Sequence, residues 1–301
     1  MRFLIIIILY INIYNMIDNY CESVIDKNIN NKKGITFEER FIDIMSDPNN
    51  KFIIRCPNAG KIINNTVILH NNIKVYKDCY YGSFSKILCL NKGCHEPAEE
   101  RMFQLVLNDI NNSNSNSNSE NNNNSENNNT IMIELGSYWA FYSIWFNKTI
   151  NNAKNYCIEP DINNLNIGKK NAKLNNVDID FTKGFIGKNK INICDFIKEK
   201  NIDYIDILHS DIQGYEYEML TDIVPLLQEN KIKYLFISTH SDDIHYKCID
   251  LLKNNNYRII ASSDFETETF CFDGIIVACH NSNNNIDYYN LGCRKHTKLI
   301  Y

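Results

Sequence analysis

The chain lacks the excess of positive charge that draws a protein to phosphate. Its 31 Lys and Arg stand against 36 Asp and Glu, a formal net charge of −5, which argues against nucleic acid or an anionic lipid surface as a partner. It also lacks an apolar run of about 20 residues, the length a membrane span needs. The longest candidate, residues 3–13, is interrupted by Asn12. There is no G-x-G-x-x-G loop, so no cradle for a dinucleotide pyrophosphate is indicated. No second close ligand pair completes Cys89, Cys94 and His95 as a zinc site, and Glu99 stands where His95-Glu96 would need a second His to form a zinc-protease helix. No metal is therefore expected.

What is present supports a packed α/β protein. Hydrophobic residues make up 44% and charged residues 22% of 301 positions, which rules out wholesale disorder. Asparagine occupies 49 positions, a bias that reads as compositional drift and lowers the information in any isolated Asn. Met1 and Arg2 before the apolar residues 3–13 have the proportions of a signal peptide. This predicts entry into a secretory pathway (lumenal or secreted), with an uncleaved membrane anchor as the alternative. Of eleven cysteines, Cys56, Cys79, Cys89 and Cys94 could form two disulfides in an oxidising compartment. Sequons at Asn64, Asn111, Asn123, Asn128 and Asn147 follow largely from the Asn excess.

Residues 111–129 contain no apolar side chain and predict a disordered loop. The segment before it, 97–110, reads as a helix because Met102, Phe103, Val106, Leu107 and Ile110 recur at helical spacing. The expected organisation is a leader over 1–20, an N-terminal extension over 21–110, the Asn-rich loop, an α/β domain over 130–280 and a tail over 281–301. Within the extension, 51–55 and 66–69 read as strands. After residue 130, strands at 131–135, 156–158, 179–185, 204–208 and 234–237 alternate with helices at 138–149, 163–174, 194–200, 215–227 and 244–253. Strands 257–261 and 274–279 end the pattern. Such alternation indicates a mostly parallel sheet covered on both faces. Ligands then lie beyond the carboxyl ends of the strands.

Four of those ends carry chemistry. Glu134-Leu-Gly136-Ser137-Tyr138-Trp139-Ala140 closes the first strand with an acid and a glycine turn, suited to a cationic ligand. Glu159-Pro160-Asp161 puts a carboxylate at the tip of the second, where it can accept both hydroxyls of a ribose; Asp161 reads equally as a helix N-cap. Asp211-Ile-Gln-Gly214-Tyr-Glu216 ends the fourth, and His240, near neutral in its ordinary pKa, ends the fifth as a candidate general base. A hydrogen-bonded loop histidine is the bland reading of the same residue.

Taken together, Glu-Leu-Gly-Ser-Tyr-Trp-Ala-Phe-Tyr-Ser, Ile-Glu-Pro-Asp with Asn171 and Asn175 after it, and Ile-Asp-Ile-Leu-His-Ser-Asp-Ile-Gln-Gly-Tyr-Glu resemble the FkbM family of S-adenosylmethionine-dependent methyltransferases over about residues 130–280. Cys94-His-Glu-Pro-Ala-Glu-Glu-Arg-Met-Phe resembles the segment before the first strand in some bacterial members. The resemblance implies a class I methyltransferase fold: a Rossmann-like, seven-stranded, mostly parallel sheet with its last strand antiparallel, helices on both faces and an α+β N-terminal extension. It implies S-adenosylmethionine as cofactor, with Glu134, Gly136, Ser137 and Tyr138 around its methionine part, Glu159, Pro160 and Asp161 at its ribose, and Asp211 and Glu216 as the signature acids. Ala140 departs from the glycine common at its position. The expected reaction is O-methylation of a hydroxyl on a glycan or other small acceptor, with Asp211 or His240 removing the proton. Alternatives are a catalytically inactive scaffold of the same fold, a nicotinamide oxidoreductase, and metal-assisted transfer through Asp211, His240 or Asp242.

Overall fold

In a computed structural model of the protein, residues 37–80, 85–120, 129–187, 190–283 and 285–297 are described, those at 37–40 and 115–120 by their backbone alone. The leader expected over 1–20, Cys21 and the sequons at Asn123 and Asn128 lie outside the described residues. Among the described residues, no helix is long and apolar enough to cross a membrane.

All seven strands expected after residue 130 form: β4 (Thr130–Leu135), β5 (Ala153–Glu159), β6 (Asp180–Lys183), β7 (Ile205–Ser210), β8 (Ile232–Thr239), β9 (Tyr257–Ser263) and β10 (Gly274–His280). They follow the N-terminal hairpin strands β1 (Ile62–Ile63), β2 (Thr66–Ile68) and β3 (Lys74–Tyr76). The large sheet has the order β6-β5-β4-β7-β8-β10-β9. Strands β4 to β8 pair in parallel, and β10 runs antiparallel to both its neighbours. Strand order reverses between β4 and β7, so the connections leaving these paired strands cross to opposite faces of the sheet and leave a crevice at the carboxyl ends.

Side-chain alternation divides the core in two, because successive residues of a strand face opposite ways. Met132, Cys157, Ile207, Phe236 and Val277 enter one apolar cluster, while their neighbours Ile133, Tyr156, Leu208, Leu235 and Ile276 enter the other. The first cluster is covered by α1 (Phe37–Ser46) and α2 (Lys86–Leu90) of the N-terminal extension and by α3 (Pro97–Glu120), α4 (Phe141–Thr149) and α5 (Ile162–Leu174). The second is covered by α6 (Ile193–Glu199), α7 (Glu216–Asp222), α8 (Val224–Gln228) and α9 (Asp242–Asn254). The single helix expected over 215–227 is broken at Ile223, because Pro225 cannot continue the ladder and instead sits in the first turn of α8.

Other expectations are corrected. The helix from Pro97 does not stop at Ile110 but continues to Glu120. Its face of Met102, Phe103, Val106, Leu107 and Ile110 is buried as expected, and beyond it Asn111 and Asn114 donate to the Thr149 carbonyl and Thr130 Oγ1. Tertiary hydrogen bonds thus hold the start of a segment with no apolar anchor; residues 121–128 of the expected loop lie outside the described residues. Residues 51–55 form no strand, since Asp47 caps a 3-10 turn over Pro48–Phe52. Cys56, Cys79, Cys89 and Cys94 are in no disulfide, so the pairs considered among them are not formed.

The N-terminal extension is fastened to the sheet at two places. Asn175, the C-cap of α5, brackets β3, accepting from Lys74 N at 2.9 Å and donating to its carbonyl at 2.6 Å, while Asn171 accepts from Tyr76 N. The tail over 281–297 returns to the extension, where Arg294 pairs with Asp43 at 2.8 Å and Asn49 donates to the Leu291 carbonyl.

Candidate active site

The crevice is built by close approach of β4 and β7. Gly136 follows β4 with φ +72°, and a Cβ placed on it would lie 1.7 Å from the Asp211 carbonyl oxygen. The Asp211 N–H donates to the Leu135 carbonyl at 2.9 Å. Only glycine fits. Two further residues of the same loop, Tyr138 and Ala140, also have positive φ, at 42° and 59°. The loop therefore takes left-handed backbone at every second position from Gly136, although only the first is glycine. This costs about 1–2 kcal/mol at each of the other two.

The loop is held by Glu159 from the end of β5. Its Oε2 accepts from Tyr138 N and its Oε1 from Asp161 N, both at 2.9 Å. Burial pushes the Glu159 carboxyl up, while those two backbone bonds hold it down. Glu159 lines a cavity of about 210 Å3 together with Pro160, Asn164, Phe185 and Tyr215. Asp161, expected at the ribose, is instead the exposed N-cap of α5 and accepts from Asn163 N and Asn164 N.

A second cavity of about 360 Å3 shares Gly136, Tyr138, Asp211 and Gln213 with the first. Glu134 and Ser137 line it. Burial raises the Glu134 carboxyl, with His209 and the Ser143 N–H, 3.1 Å from Oε2, working against that rise. The opposite wall comes from the N-terminal extension and β10: Tyr80, His95, Glu96 and Asp273, with Trp139 between them. The rings of Tyr80 and His95 lie 5.0 and 4.9 Å from that of Trp139. The extension, to which sequence assigned no activity, thus supplies Tyr80, His95 and Glu96 to this cavity's wall.

A buried ionic cluster sets that wall. Glu100 lies 2.6 Å from His70 Nε2 and 2.7 Å from His95 Nδ1, and Glu99 lies 2.7 Å from His209 Nε2. Burial alone would lower His95, but Glu100 and Glu96 outweigh it and raise its pKa to about 10. Burial alone would raise Glu100, yet His95 and His70 hold it well below the usual carboxylate range. The zinc arrangement considered for His95 is accordingly replaced by ion pairs with two glutamates.

His240 does not stand as the general base expected of it. Its Nδ1 is 2.9 Å from Glu216 Oε1, and its Nε2 is 3.4 Å from Asp211 Oδ1 and 3.3 Å from Asp273 Oδ1. Burial opposes the charged form, but Asp211, Glu216 and Asp273 raise its pKa to about 10. Its three carboxylate neighbours thus favour the protonated form, which donates a hydrogen bond and does not take up a proton. Glu216 is fully buried and lines neither cavity; it accepts from Ile212 N and Gly214 N and positions His240 instead of meeting a cofactor. Asp242 lies apart, accepting from Phe265 N and Glu266 N. Asp273, which sequence reading passed over, takes its place because the antiparallel pairing of Gly274 with Thr239 sets Asp273 across from His240. The only signal for it was an acid just before the last strand.

The strand order, the antiparallel insertion of β10 and the crevice beyond β4, β5 and β7 define a class I methyltransferase fold. No family model matches the chain, and no curated protein matches it by sequence. Solved structures similar in fold include a precorrin-6y C5,15-methyltransferase from Geobacter metallireducens GS-15, 13% identical with a TM-score of 0.37, the match covering 50% of this chain and 80% of that one. TrmK of M. capricolum in complex with S-adenosyl-homocysteine is 20% identical with a TM-score of 0.35, covering 54% and 65%. The N-terminal domain of human METTL16, also with S-adenosyl-homocysteine, is 17% identical with a TM-score of 0.42, covering 62% and 71%.

Proposed function

We propose that the chain is an S-adenosylmethionine-dependent methyltransferase of the FkbM type that methylates a hydroxyl of a glycan or other small acceptor. The observation that carries this reading is a buried carboxylate, Glu159, facing the smaller of two cavities that meet at Gly136 and Asp211. In this reading the smaller cavity takes the nucleoside, with its ribose hydroxyls donating to Glu159 and its base beside Phe185. The methionine part passes Gly136 and Ser137 into the larger cavity. Glu96, Asp211 and Asp273 there offer acceptors for sugar hydroxyls, and Tyr80 and Trp139 offer aromatic faces for a sugar ring.

Transfer forms an O–CH3 bond as the S–CH3 bond breaks, and the electron pair of that bond neutralises the sulfonium. The protein's task is alignment and a place for the hydroxyl proton. Asp211, exposed to the cavity, is the acceptor for that proton, and protonated His240 steadies its charge. A location in the secretory pathway, expected from residues 1–20, belongs to the same proposal, as does contact with membrane through that leader alone.

A second reading is a scaffold that has lost catalysis, motivated by Tyr138 and Ala140 in left-handed backbone on the cofactor loop. Calorimetric titration with S-adenosylmethionine and S-adenosyl-homocysteine separates the two. Wild type should bind both, and Glu159→Ala should bind at least tenfold more weakly, since a charge-assisted hydrogen bond contributes about 1.5–3 kcal/mol. Asp211→Asn should keep binding and lose turnover. Absence of binding by wild type removes the enzyme reading.

A further inference from the structure

Asp211, His240 and Asp273 lie just beyond the ends of β7 and β8 and just before β10; the antiparallel register sets Asp273 across from His240, and β7 beside β8 brings Asp211 to the same end. One oxygen or nitrogen from each lies within 4.8 Å of the others. The two Nε2 to Oδ1 separations, 3.4 and 3.3 Å, exceed the ~2.7–2.9 Å of a charge-assisted N–H···O bond. They equal the edge of a tetrahedron whose centre lies about 2.0–2.1 Å from each corner, the bond length of a first-row divalent ion to imidazole or carboxylate. From this geometry we infer that Asp211, His240 and Asp273 bind a divalent first-row transition metal ion.

The surroundings of the three side chains agree with that assignment. Glu216 Oε1 stands 2.9 Å from His240 Nδ1, the carboxylate partner that fixes a ligating histidine's tautomer and leaves Nε2 to coordinate. Glu216 is itself fully buried and pinned by the N–H groups of Ile212 and Gly214, so the ring cannot swing away. Gly274 lets β10 begin this close: a Cβ there would lie 2.6 Å from Thr239 Oγ1 and 2.8 Å from Phe265 N. Asp211 and Asp273 both line the larger cavity, so the remaining coordination positions face the space assigned to the acceptor. One nitrogen and two carboxylate oxygens with open positions suit Mn2+, Fe2+ or Zn2+ better than Ca2+, which takes six to eight oxygens.

Ion binding does not depend on methyl transfer, but its use does rest on the function proposed above. There Asp211, His240 and Asp273 would hold the ion in place of the His240 Nε2 proton, the ion would supply Lewis acidity to the acceptor hydroxyl, and the hydroxyl proton would still pass to Asp211, through the carboxylate oxygen not bound to the ion, as the O–CH3 bond forms. The full chain, stripped with chelator, would be titrated with Mn2+ while free Mn2+ is followed by electron paramagnetic resonance, with Zn2+ as competitor. Wild type should take up one equivalent and show coupling to a single imidazole nitrogen. Asp273→Asn and His240→Gln should bind at least tenfold more weakly, and Asp242→Asn should bind as wild type does. Failure of wild type to take up either ion at millimolar concentration, absence of nitrogen coupling, or unchanged affinity in Asp273→Asn would overturn the site. S-adenosyl-homocysteine titration of the same samples reports folding and keeps failure of the cofactor reading separate.

Discussion

Replacing Gly136 by Ala tests whether the crevice depends on the contact between β4 and β7. The new methyl would sit 1.7 Å from the Asp211 carbonyl oxygen, where real Cβ contacts are essentially never under 3.0 Å, so the strand ends must part by more than 1 Å. That movement breaks the 2.9 Å bond from Asp211 N to Leu135 O, which costs about 1 kcal/mol net. A left-handed alanine adds about 1–2 kcal/mol. With displaced packing the loss should reach about 3–4 kcal/mol, a large share of the ~5–15 kcal/mol that holds a domain folded. Gly214→Ala is the control, because its φ is +98° but its added Cβ meets nothing within 4 Å; it should cost only the backbone strain, about 1–2 kcal/mol. Urea denaturation followed by circular dichroism measures both. Equal losses in the two variants, or less than about 1 kcal/mol in Gly136→Ala, would refute the steric argument.

Two further predictions concern charge. His245 bridges Thr239 Oγ1 and Ser262 Oγ at 2.8 and 2.9 Å, and burial, opposed only by Asp264, lowers its pKa to about 4. The unfolded chain binds that proton first, so the stability is whole above about pH 6.5 and is lost as pH falls toward 4, on the order of 3 kcal/mol; His245→Gln should flatten this part of the curve, and parallel acid loss in both proteins would contradict it. Arg294→Met removes the ion-pair partner at 2.8 Å from one oxygen of a carboxylate, Asp43, that is 1% exposed, and should cost up to about 3–5 kcal/mol. Adding Asp43→Leu should restore much of the loss in a double-mutant cycle.

The sheet was legible in the sequence because its central strands are apolar enough to be buried on two faces and alternate with helices at regular spacing; edge strand β6, with no buried residue, was legible only from its place in that alternation. The site was legible only where a residue sits at the end of such a strand, as Glu134, Glu159, Asp211 and His240 do. Asp273 precedes its strand and reaches His240 through antiparallel pairing, a relation that no local pattern carries. The ion pairs of Glu99 and Glu100 with His209 and His70 join positions 110 and 30 apart, and the spacing of neither residue announces them. The protonation of His240 was missed for the same reason: its three carboxylate neighbours come from distant segments.

Asparagine also held more information than its abundance suggested. Asn176, Asn201, Asn230 and Asn256 each follow the end of a helix with φ between 53° and 67°, and each turns the chain into the next strand. At the first three, paired bonds such as Val177 N to Ala172 O and Asn176 N to Lys173 O close the helix in the manner usually served by glycine. A chain with only 11 glycines thus uses asparagine as its left-handed residue. These four turns lie at the ends of the strands opposite the crevice, so the molecule carries a reserve of stability that can be drawn on without touching catalysis. Glycine at Asn176, Asn201 and Asn230 should together add about 1–2 kcal/mol, close to additively, visible as a higher Tm with cofactor affinity unchanged, whereas Asn256→Gly also loses the bonds its side chain makes with Asn281 and His280.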